Sequence, residues 1–259
     1  MTGIEASTLT LGYGSRTISS ELSVAVPEGS FTAIIGPNAS GKSTLLRACA
    51  RLIRPSSGSV LLDGRNLADF KAKELARQIG LLPQTSIAPE GIRVADLVAR
   101  GRFPHQGALD RWSAADEAAV AEAMRATGVT EFSGRLVDEL SGGQRQRVWV
   151  AMVLAQQTGV LLLDEPTTFL DIAHQLAALE LFEDLNSAGN TIVAVLHDLN
   201  QAARYATHII AMRDGQVAAS GSPRDVITAE LVEHVFDLRC RIIDDPESGT
   251  PMVIPSARR

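Results

Sequence analysis

The sequence has few features that would stabilise a small secreted domain or carry the chain into a membrane. Only two of its 259 residues are cysteine, Cys49 and Cys240, too few for a disulfide framework, which favours a reducing compartment. No apolar run approaches the roughly 20 residues that span a bilayer, and "MTGIEASTLT" lacks the basic start and apolar stretch of a signal peptide. We therefore expect a cytoplasmic protein unless a partner holds it at a membrane.

Positive charge is also scarce. The chain has 24 Lys and Arg residues against 30 Asp and Glu, a formal net charge of -6. Because a basic footprint is missing, we expect no nucleic-acid partner. Hydrophobic residues make up 45% and charged residues 21%, as in ordinary globular proteins, and the length is near the upper limit for one domain.

The distribution of apolar residues predicts an α/β protein. Alternation near the N-terminus predicts strands, most of them antiparallel, in "IEASTLTLGY", "ELSVAVPEG" and "GSVLLDGRNL". Later runs are continuously apolar, as expected of strands buried on both faces of a parallel sheet: "VLLLDEP", "TIVAVLHD" and "HIIAMRDG". We predict one domain over residues 1–259, with a core of residues 1–86 and 158–259 and a helical insertion over 87–157.

Two details of this secondary-structure prediction concern the C-terminal half. A helix between the first two apolar runs carries one apolar stripe, formed by Ile172, Leu176, Leu179, Phe182 and Leu185. The tail is predicted to form a hairpin at "RDGQVAASG", a helix through "AELVEHVF" and a last hairpin with a Ser-Gly turn. No internal repeat, low-complexity tract or linker interrupts the pattern.

The peptide "GPNASGKST", residues 36–44, lies between a short apolar strand and a predicted helix. It fits G-x-x-x-x-G-K-[ST], with Gly36, Gly41, Lys42 and Ser43 at the fixed positions. Glycine permits backbone angles that bring successive N–H groups around a phosphate. Lys42 supplies charge for the β and γ phosphates, and the Ser43 hydroxyl suits Mg²⁺. We predict that the whole loop binds a nucleoside triphosphate, including Pro37, Asn38, Ala39, Ser40 and Thr44.

Two adjacent carboxylates follow the run "VLLL". At the carboxyl end of a parallel strand, Asp164 can reach a metal on a neighbouring phosphate loop, and Glu165 can orient or deprotonate a water for attack on the γ phosphate. A plain acidic turn is the usual alternative for such a pair, and the phosphate loop disfavours it. Hydrolysis is therefore favoured over transfer to a second substrate, although a kinase could also place a base there.

A third stretch, "LSGGQRQRV", spans residues 140–148. Ser141 can cap the following helix, and Gly142 and Gly143 allow an anion to approach its N-terminus closely. From these residues alone, a flexible helix cap is the better interpretation and a second phosphate site is the alternative.

The three stretches in this order resemble those of the ABC ATPases, the nucleotide-binding subunits of ABC transporters. "LSGGQ" is similar to their signature motif, "GPNASGKST" to Walker A and "VLLLDEP" to Walker B, and the similarity covers nearly the whole chain. It implies the P-loop NTPase fold of an ABC ATPase, with a RecA-like parallel-sheet core, an N-terminal antiparallel β subdomain and an inserted helical subdomain. Ala39 stands where many members carry glycine, and we expect little loss of binding from it.

The resemblance also assigns roles to four residues, three of which have plainer interpretations. Tyr13 in "LGYG" resembles the aromatic residue that stacks on adenine, and Asp171 in "TTFLD" resembles the D-loop aspartate at a dimer interface. Gln84 resembles the Q-loop glutamine and His197 the switch histidine. Without the resemblance, Tyr13 would be a surface turn residue, Gln84 a strand end and His197 a helix cap.

In this family two cassettes pack head to tail, which implies that this chain acts with a second copy of itself. Each ATP would lie between the Walker A loop of one copy and the signature motif of the other, so that the signature acts in trans through Ser141, Gly142, Gly143 and Gln144. Mg²⁺ would be bound by Ser43, Gln84 and Asp164. Glu165 would position the water, and His197 would contact the γ phosphate, whose loss weakens the joint.

The resemblance further implies partners at the cytoplasmic face of a membrane. The helical insertion would receive the coupling helix of a membrane subunit. The partners would be two transmembrane permease subunits and, indirectly, an extracytoplasmic substrate-binding protein. "GRFPHQG", "PTTFLDIAHQ" and the tail resemble importers of iron–siderophore complexes and vitamin B12, so an iron–siderophore complex is the expected cargo. The alternatives are a vitamin B12, heme or other importer, an exporter, and an ATP-dependent regulator that does not hydrolyse.

Overall fold

A computed structural model of the chain describes residues 3–84, 87–107 and 111–256. Its strands are β1 (Ile4–Tyr13), β2 (Arg16–Val26), β3 (Phe31–Ile35), β4 (Ser57–Leu62), β5 (Arg65–Asn66), β6 (Ile79–Leu82), β7 (Val160–Asp164), β8 (Thr191–Val195), β9 (His208–Arg213), β10 (Gln216–Gly221), β11 (Cys240–Asp244) and β12 (Pro251–Pro255). Its α-helices are α1 (Lys42–Cys49), α2 (Ala72–Ala76), α3 (Val94–Ala99), α4 (Ala114–Ala126), α5 (Gly142–Ala155), α6 (Ile172–Ser187), α7 (Leu199–Tyr205), α8 (Pro223–Val226) and α9 (Ala229–Phe236). Within the described ranges, no helix is long and apolar enough to cross a membrane.

The chain divides into two compact units. The first comprises Met1–Asp69 and Thr191–Arg259, and the second comprises Phe70–Asn190. The predicted insertion over residues 87–157 lies within the second unit, and the finer division of the chain at its ends stays a prediction.

The N-terminal part of the first unit is an antiparallel sheet with strand order β2-β1-β4-β5. In β1, Ile4 and Ala6 are buried because alternate side chains of a strand point to the same face. A register shift between Ala6 and Leu9 moves this alternation by one residue, so that Leu9 and Leu11 are the buried residues after it. β4 turns into β5 through Asp63 and Gly64, which both have positive φ, 50° and 78°, as the tight hairpin requires. The predicted antiparallel start is confirmed.

A second sheet of the first unit has the strand order β10-β9-β3-β8. β3 runs parallel to both β8 and β9, and every residue of β3 and β8 is buried. Continuous apolar runs therefore predicted these strands correctly. Since β3 and β8 are parallel neighbours, the segments that follow them begin side by side at one edge of the sheet.

The predicted C-terminal hairpin is also present. β11 and β12 pair with each other alone, with Ile242 opposite Val253. Asp245 closes the turn between them, because its N–H donates to the Thr250 carbonyl over 2.8 Å and its Oδ1 accepts from the Glu247 N–H over 2.9 Å.

The two cysteines lie far apart in the first unit's secondary structure. Cys49 ends α1 and is buried, whereas Cys240 begins β11 and is half-buried, and both are free thiols. Burial raises the pKa of the Cys49 thiol to about 12. Cys49 is therefore a small core residue on the helix that follows the phosphate loop.

The second unit contains the parallel pair β6 and β7 and the helices α2 to α6. On α6 the predicted stripe is buried at Leu179 and Phe182, which are fully covered. Its N-terminal end is on the same stripe but is not covered, because Ile172 is 75% exposed. The whole first turn of α6, residues 171–174, is exposed, so the covered part of the stripe begins one turn later.

A buried ion pair joins three segments of the second unit. Arg102 Nε donates to Asp116 Oδ1 over 2.8 Å, and its guanidinium also donates to the Ala155 carbonyl and to Gln157 Oε1, each over 2.9 Å. Asp116 lies in the first turn of α4, where it also accepts from the Ser113 hydroxyl. The Arg102 guanidinium, with the Ser113 hydrogen bonds, lowers the pKa of the Asp116 carboxyl from 3.8 to about 2.

This shift predicts how Asp116 affects acid stability. A carboxyl whose pKa is lower in the folded state stabilises the fold above about pH 4, and this stabilisation disappears as the pH falls toward 2. Asp116→Asn should therefore have a lower midpoint of thermal unfolding than the wild type at pH 7, and the difference should shrink between pH 4 and pH 2. Glu122→Gln, which removes the exposed partner of Arg125, is the matched control and should show little difference at any pH. A wild-type advantage that stays constant down to pH 2 would contradict the assignment.

Candidate functional site

The loop after β3 has the backbone that its glycines predict. Gly36, Ala39 and Gly41 all have positive φ, 152°, 65° and 98°. α1 begins directly afterwards, and the Leu45 N–H donates to the Gly41 carbonyl over 2.9 Å. The first N–H groups of a helix have no partner within it, so the N-terminus of α1 faces the loop with its donors and its positive dipole end.

Gly36 is required by close approach of the backbone. A Cβ atom at this position would lie 2.2 Å from the Met212 carbonyl oxygen and 2.8 Å from Ser40 Oγ. Ala39, which replaces the glycine of many family members, is exposed. Its left-handed backbone costs a non-glycine residue roughly 1–2 kcal/mol.

Lys42 crosses the loop from the first turn of α1. Its side chain is buried, and Nζ donates to the carbonyls of Gly36 and Pro37 over 2.9 and 2.8 Å. Ser40 Oγ is buried too, and it has no hydrogen-bond partner among the described residues. A buried ammonium group beside a helix N-terminus gives this loop the charge that a polyphosphate needs. Asn38 is exposed, Ser43 is half-buried and Thr44 is buried.

His197 is brought to the same edge of the sheet as this loop. It lies two residues beyond β8, and the preceding residue, Leu196, donates its N–H to the carbonyl of Ile34 over 3.2 Å. Ile34 is in β3, which leads into the loop. His197 itself is exposed. Because β3 and β8 are parallel neighbours, His197 and the loop after β3 begin at the same sheet edge of the first unit, and the contact of His197 with the γ phosphate stays a prediction.

Tyr13 lies at the end of β1 and is 48% exposed. Its hydroxyl accepts a hydrogen bond from Arg47 over 3.3 Å, and Arg47 is in the last turn of α1. Tyr13 is thus tied to the helix that follows the phosphate loop. Sequence reasoning did not single out Arg47, because nothing in its local pattern indicates a partner 34 residues away.

In the second unit, the side chains of Gln84, Asp164 and Glu165, which the sequence assigns to metal and water, lie at the carboxyl ends of the parallel strands β6 and β7. Leu82 of β6 is opposite Leu163 of β7. Gln84 comes two residues after this pair on one strand, and Asp164 comes one residue after it on the other. Asp164 is 1% exposed. Glu165 is half-buried with φ of 55°, and its Oε2 accepts from the Thr168 hydroxyl over 3.1 Å.

The "SGGQ" motif forms a capped helix start. The Gln144 N–H donates to Ser141 Oγ over 3.3 Å, and the Ser141 N–H donates to Gln144 Oε1 over 3.0 Å. α5 begins at Gly142, and both Ser141 and Gly142 are exposed. This arrangement satisfies the helix-cap interpretation and leaves the glycine face accessible to an anion as well.

The signature motif lies beside the segment that follows Glu165. A Cβ on Gly143 would lie 3.4 Å from Leu170 Cδ2, and Gln146 Nε2 donates to the Pro166 carbonyl over 3.2 Å. Between them Phe169 has φ of 68° and is 76% exposed. Sequence reasoning missed this exposed ring, since a phenylalanine next to an apolar leucine suggests a core position.

Asp171 caps α6 rather than pairing with a distant group. Its Oδ1 accepts from the His174 N–H over 2.9 Å and lies 2.7 Å from His174 Nδ1. The hydrogen bonds from the backbone and side chain of His174 lower the pKa of the Asp171 carboxyl. Its predicted role at an interface is compatible with an exposed cap and stays a prediction.

Within the described ranges, no three His, Cys, Asp or Glu side chains are grouped so that they could hold a metal ion by themselves. Mg²⁺ is usually bound through one or two carboxylates together with phosphate oxygens. The Ser43 hydroxyl in the first unit, and the Gln84 amide and the buried Asp164 carboxylate in the second, are each oxygen donors that Mg²⁺ accepts.

These loops and strands define the class of the protein: it is a P-loop ATPase with the fold of the ABC ATPases. Residues 19–168 match the family model of the ABC transporter, and the chain belongs to that family. It is therefore an ATP-binding subunit that hydrolyses ATP, and the resemblance inferred from the sequence motifs is confirmed.

Known relatives extend along nearly the whole chain. The ferric enterobactin transport ATP-binding protein FepC of Escherichia coli is 57% identical over 251 residues, covering 96% of this chain and 93% of FepC. The petrobactin import ATP-binding protein FpuD of Bacillus anthracis is 50% identical over 256 residues, covering 98% of this chain and 94% of FpuD. A solved dimeric structure of MJ0796, a bacterial ABC transporter cassette, has a TM-score of 0.75 and 29% identity, covering 85% of this chain and 98% of that one.

The crowding at Gly36 gives a direct test of the phosphate loop. Gly36→Ala places a methyl group against the Met212 carbonyl, and strain of about 1–3 kcal/mol at the loop should weaken ATP binding about tenfold or more. Ala39→Gly is the matched control, because it relieves a positive φ without filling space, and it should bind ATP as the wild type does. Titration with a fluorescent ATP analogue measures both, and unchanged affinity in Gly36→Ala would show that the loop does not hold the phosphates.

Proposed function

We propose that this chain powers the import of an iron–siderophore complex through a membrane permease. The observation that carries the proposal is identity of half or more, over nearly the full length, to two proteins whose names specify ferric enterobactin transport and petrobactin import. The stretches "GRFPHQG" and "PTTFLDIAHQ" support the same group of importers. A vitamin B12 or heme importer and an exporter are the alternatives within the family.

In the proposed reaction, the loop of residues 36–44 and the ammonium of Lys42 hold the β and γ phosphates of ATP. Tyr13 stacks on the adenine. Mg²⁺, when bound, offsets charge on the phosphate oxygens, and its protein ligands are Ser43, Gln84 and Asp164.

Hydrolysis requires a group that handles the attacking water. The Glu165 carboxylate orients this water and accepts its proton as the water oxygen bonds to the γ phosphorus. The bond between that phosphorus and the β–γ bridging oxygen breaks, and ADP leaves with the bonding electrons. The hydrogen bond from Thr168 fixes the direction of the Glu165 side chain. His197 contacts the γ phosphate and helps to distinguish ATP from ADP.

The exposed signature motif supports a head-to-tail dimer as the active form. Phe169 and Ile172 are large apolar side chains, 76% and 75% exposed, and Phe169 adjoins Gly142 and Gly143. Apolar side chains of this size are expected at the buried centre of an interface. In the proposed dimer, this surface and Asp171 face the second copy, and Ser141, Gly142, Gly143 and Gln144 contact the ATP that the second copy holds.

A second exposed aromatic side chain supports a permease contact in the helical region. Phe103 lies in the 3-10 helix Arg100–His105 and is 64% exposed. Lys73 Nζ is 4.7 Å from its ring centroid, and Arg77 Nε donates to the Pro104 carbonyl over 2.8 Å. An aromatic ring held on a braced segment suits a cytoplasmic helix of a permease. We therefore place the chain at the cytoplasmic face, with two permease subunits and, through them, an extracytoplasmic binding protein.

The dimer and the role of Glu165 can be tested together. Glu165→Gln should bind ATP without releasing phosphate and should accumulate as a dimer, because the γ phosphate stays in place. Light scattering with ATP should give the dimer mass for Glu165→Gln and the monomer mass when Lys42→Ala is added. If Glu165→Gln released phosphate normally, another residue would orient the attacking water. If the wild type released no phosphate, the chain would instead be the ATP-dependent regulator that does not hydrolyse.

The proposed dimer surface needs a matched pair of variants in the Glu165→Gln background. Phe169→Asp should prevent the ATP-dependent dimer, since it places a carboxylate in an apolar contact. Phe103→Asp also changes an exposed phenylalanine of the same unit and should leave the dimer intact. If both variants dimerise equally well, Phe169 does not lie in the interface.

Cargo is tested by uptake in cells that carry the complete transport system. Deleting this subunit should abolish uptake of radiolabelled ferric siderophore, and the wild-type chain, but not Glu165→Gln, should restore it. Labelled cobalamin and labelled heme are the comparison substrates. If uptake of cobalamin or heme depended on the subunit, and uptake of the ferric siderophore did not, the chain would belong to an importer of that other cargo.

A further inference from the structure

The C-terminal hairpin is bound to α7 by the side-chain amide of Asn200, which accepts and donates backbone hydrogen bonds as a neighbouring strand would. The Val253 N–H donates to Asn200 Oδ1 over 2.7 Å, and Asn200 Nδ2 donates to the Val253 carbonyl over 3.3 Å. Both polar groups of one β12 residue are thus satisfied by a single amide. Val253 is itself buried, so this pair of bonds fixes the hairpin's edge against the first turn of α7.

A second link holds the other end of the same helix. Arg204, in the last turn of α7, lies 3.3 Å from Asp245 in the hairpin turn, and their side chains are 33% and 13% exposed. Asp245 is also held by the turn's own backbone, through the Glu247 N–H. The hairpin is therefore bonded to both ends of α7.

His197 lies immediately before this helix. On one side, Leu196 is bonded to β3. On the other side, the Asp198 carboxylate caps α7 by accepting from the N–H groups of Asn200 and Gln201 over 2.8 and 3.0 Å. The backbone N–H of Asn200 therefore bonds to Asp198, the residue next to His197, and the Asn200 side chain bonds to Val253 of the hairpin.

Neither partner in this contact is stable alone. α7 has seven residues, which is too short for a helix that stands by itself, and an isolated two-stranded hairpin is marginal as well. We propose that the hairpin is a positioning element for His197, which it holds through Asn200 and Arg204. The inference rests on the γ-phosphate contact proposed for His197.

The test compares steady-state ATP hydrolysis and nucleotide affinity in variants of the full chain. Asn200→Ala should lower kcat about tenfold, because small displacements of a group that contacts the transition state are costly. Its affinity for ATP should stay within about twofold of the wild type, since Lys42 and the phosphate loop are untouched. Asn200→Asp keeps the acceptor for the Val253 N–H and should recover part of the lost kcat.

Arg224→Ala is the matched control. Arg224, in α8, pairs with Asp244 over 3.2 Å and donates to the Gly249 carbonyl, so it bonds to the same hairpin from a helix other than α7. Its kcat should equal that of the wild type. Thermal unfolding of every variant shows whether each is folded at the assay temperature, and Arg204→Ala provides a second route to the same result if Asn200→Ala does not fold.

The outcomes separate this inference from the proposed role of His197. If His197→Ala hydrolyses ATP normally, the role of His197 is wrong. If His197→Ala is inactive while Asn200→Ala and Arg204→Ala keep the wild-type kcat, the hairpin does not position His197. Equal loss of kcat in Arg224→Ala would also overturn the inference, because it would show a general effect of loosening the tail.

Discussion

The nucleotide site is organised around the buried ammonium group of Lys42, a positive charge that needs partners. Lys42 is 5% exposed, and its charge is satisfied by the carbonyls of Gly36 and Pro37, because a buried charge without partners is strongly unfavourable. Carbonyl oxygens carry only partial charge, so a polyphosphate is a better counterpart for this group. The crowded backbone at Gly36 and the start of α1 keep the ammonium where a phosphate can reach it.

In both units, the pairing of parallel strands brings polar side chains together at one edge of the sheet. In the first unit, the parallel pairing of β3 and β8 places the phosphate loop and His197 at one sheet edge. In the second, the pairing of β6 and β7 does the same for Gln84 and Asp164. The groups predicted to bind phosphate are thus separated along the chain from the carboxylates predicted to handle metal and water, and each set is placed by strand register.

Local patterns predicted those parts of the molecule whose cause is local. The G-x-x-x-x-G-K-[ST] spacing, the buried parallel strands and the capping of α5 by Ser141 depend on neighbouring residues, and all were predicted. Ile172 fits the stripe on α6, yet coverage of a helix turn depends on what packs there, and nothing covers that turn among the described residues. The Asn200–Val253 and Arg102–Asp116 pairs join residues 53 and 14 positions apart, and no local pattern marks either partner.

The different surroundings of the two cysteines have a practical consequence for spectroscopy. The Cys49 thiol, with its pKa raised to about 12, has almost no thiolate at neutral pH and is closed to reagents. Cys240 is half-buried and begins β11. Burial and the Glu233 carboxylate also raise the pKa of the Cys240 thiol, but that thiol is only half-buried. At mildly alkaline pH a maleimide dye or spin label should therefore react at Cys240 in preference to Cys49, and at Cys240 it reports on the tail of the chain without any engineered cysteine.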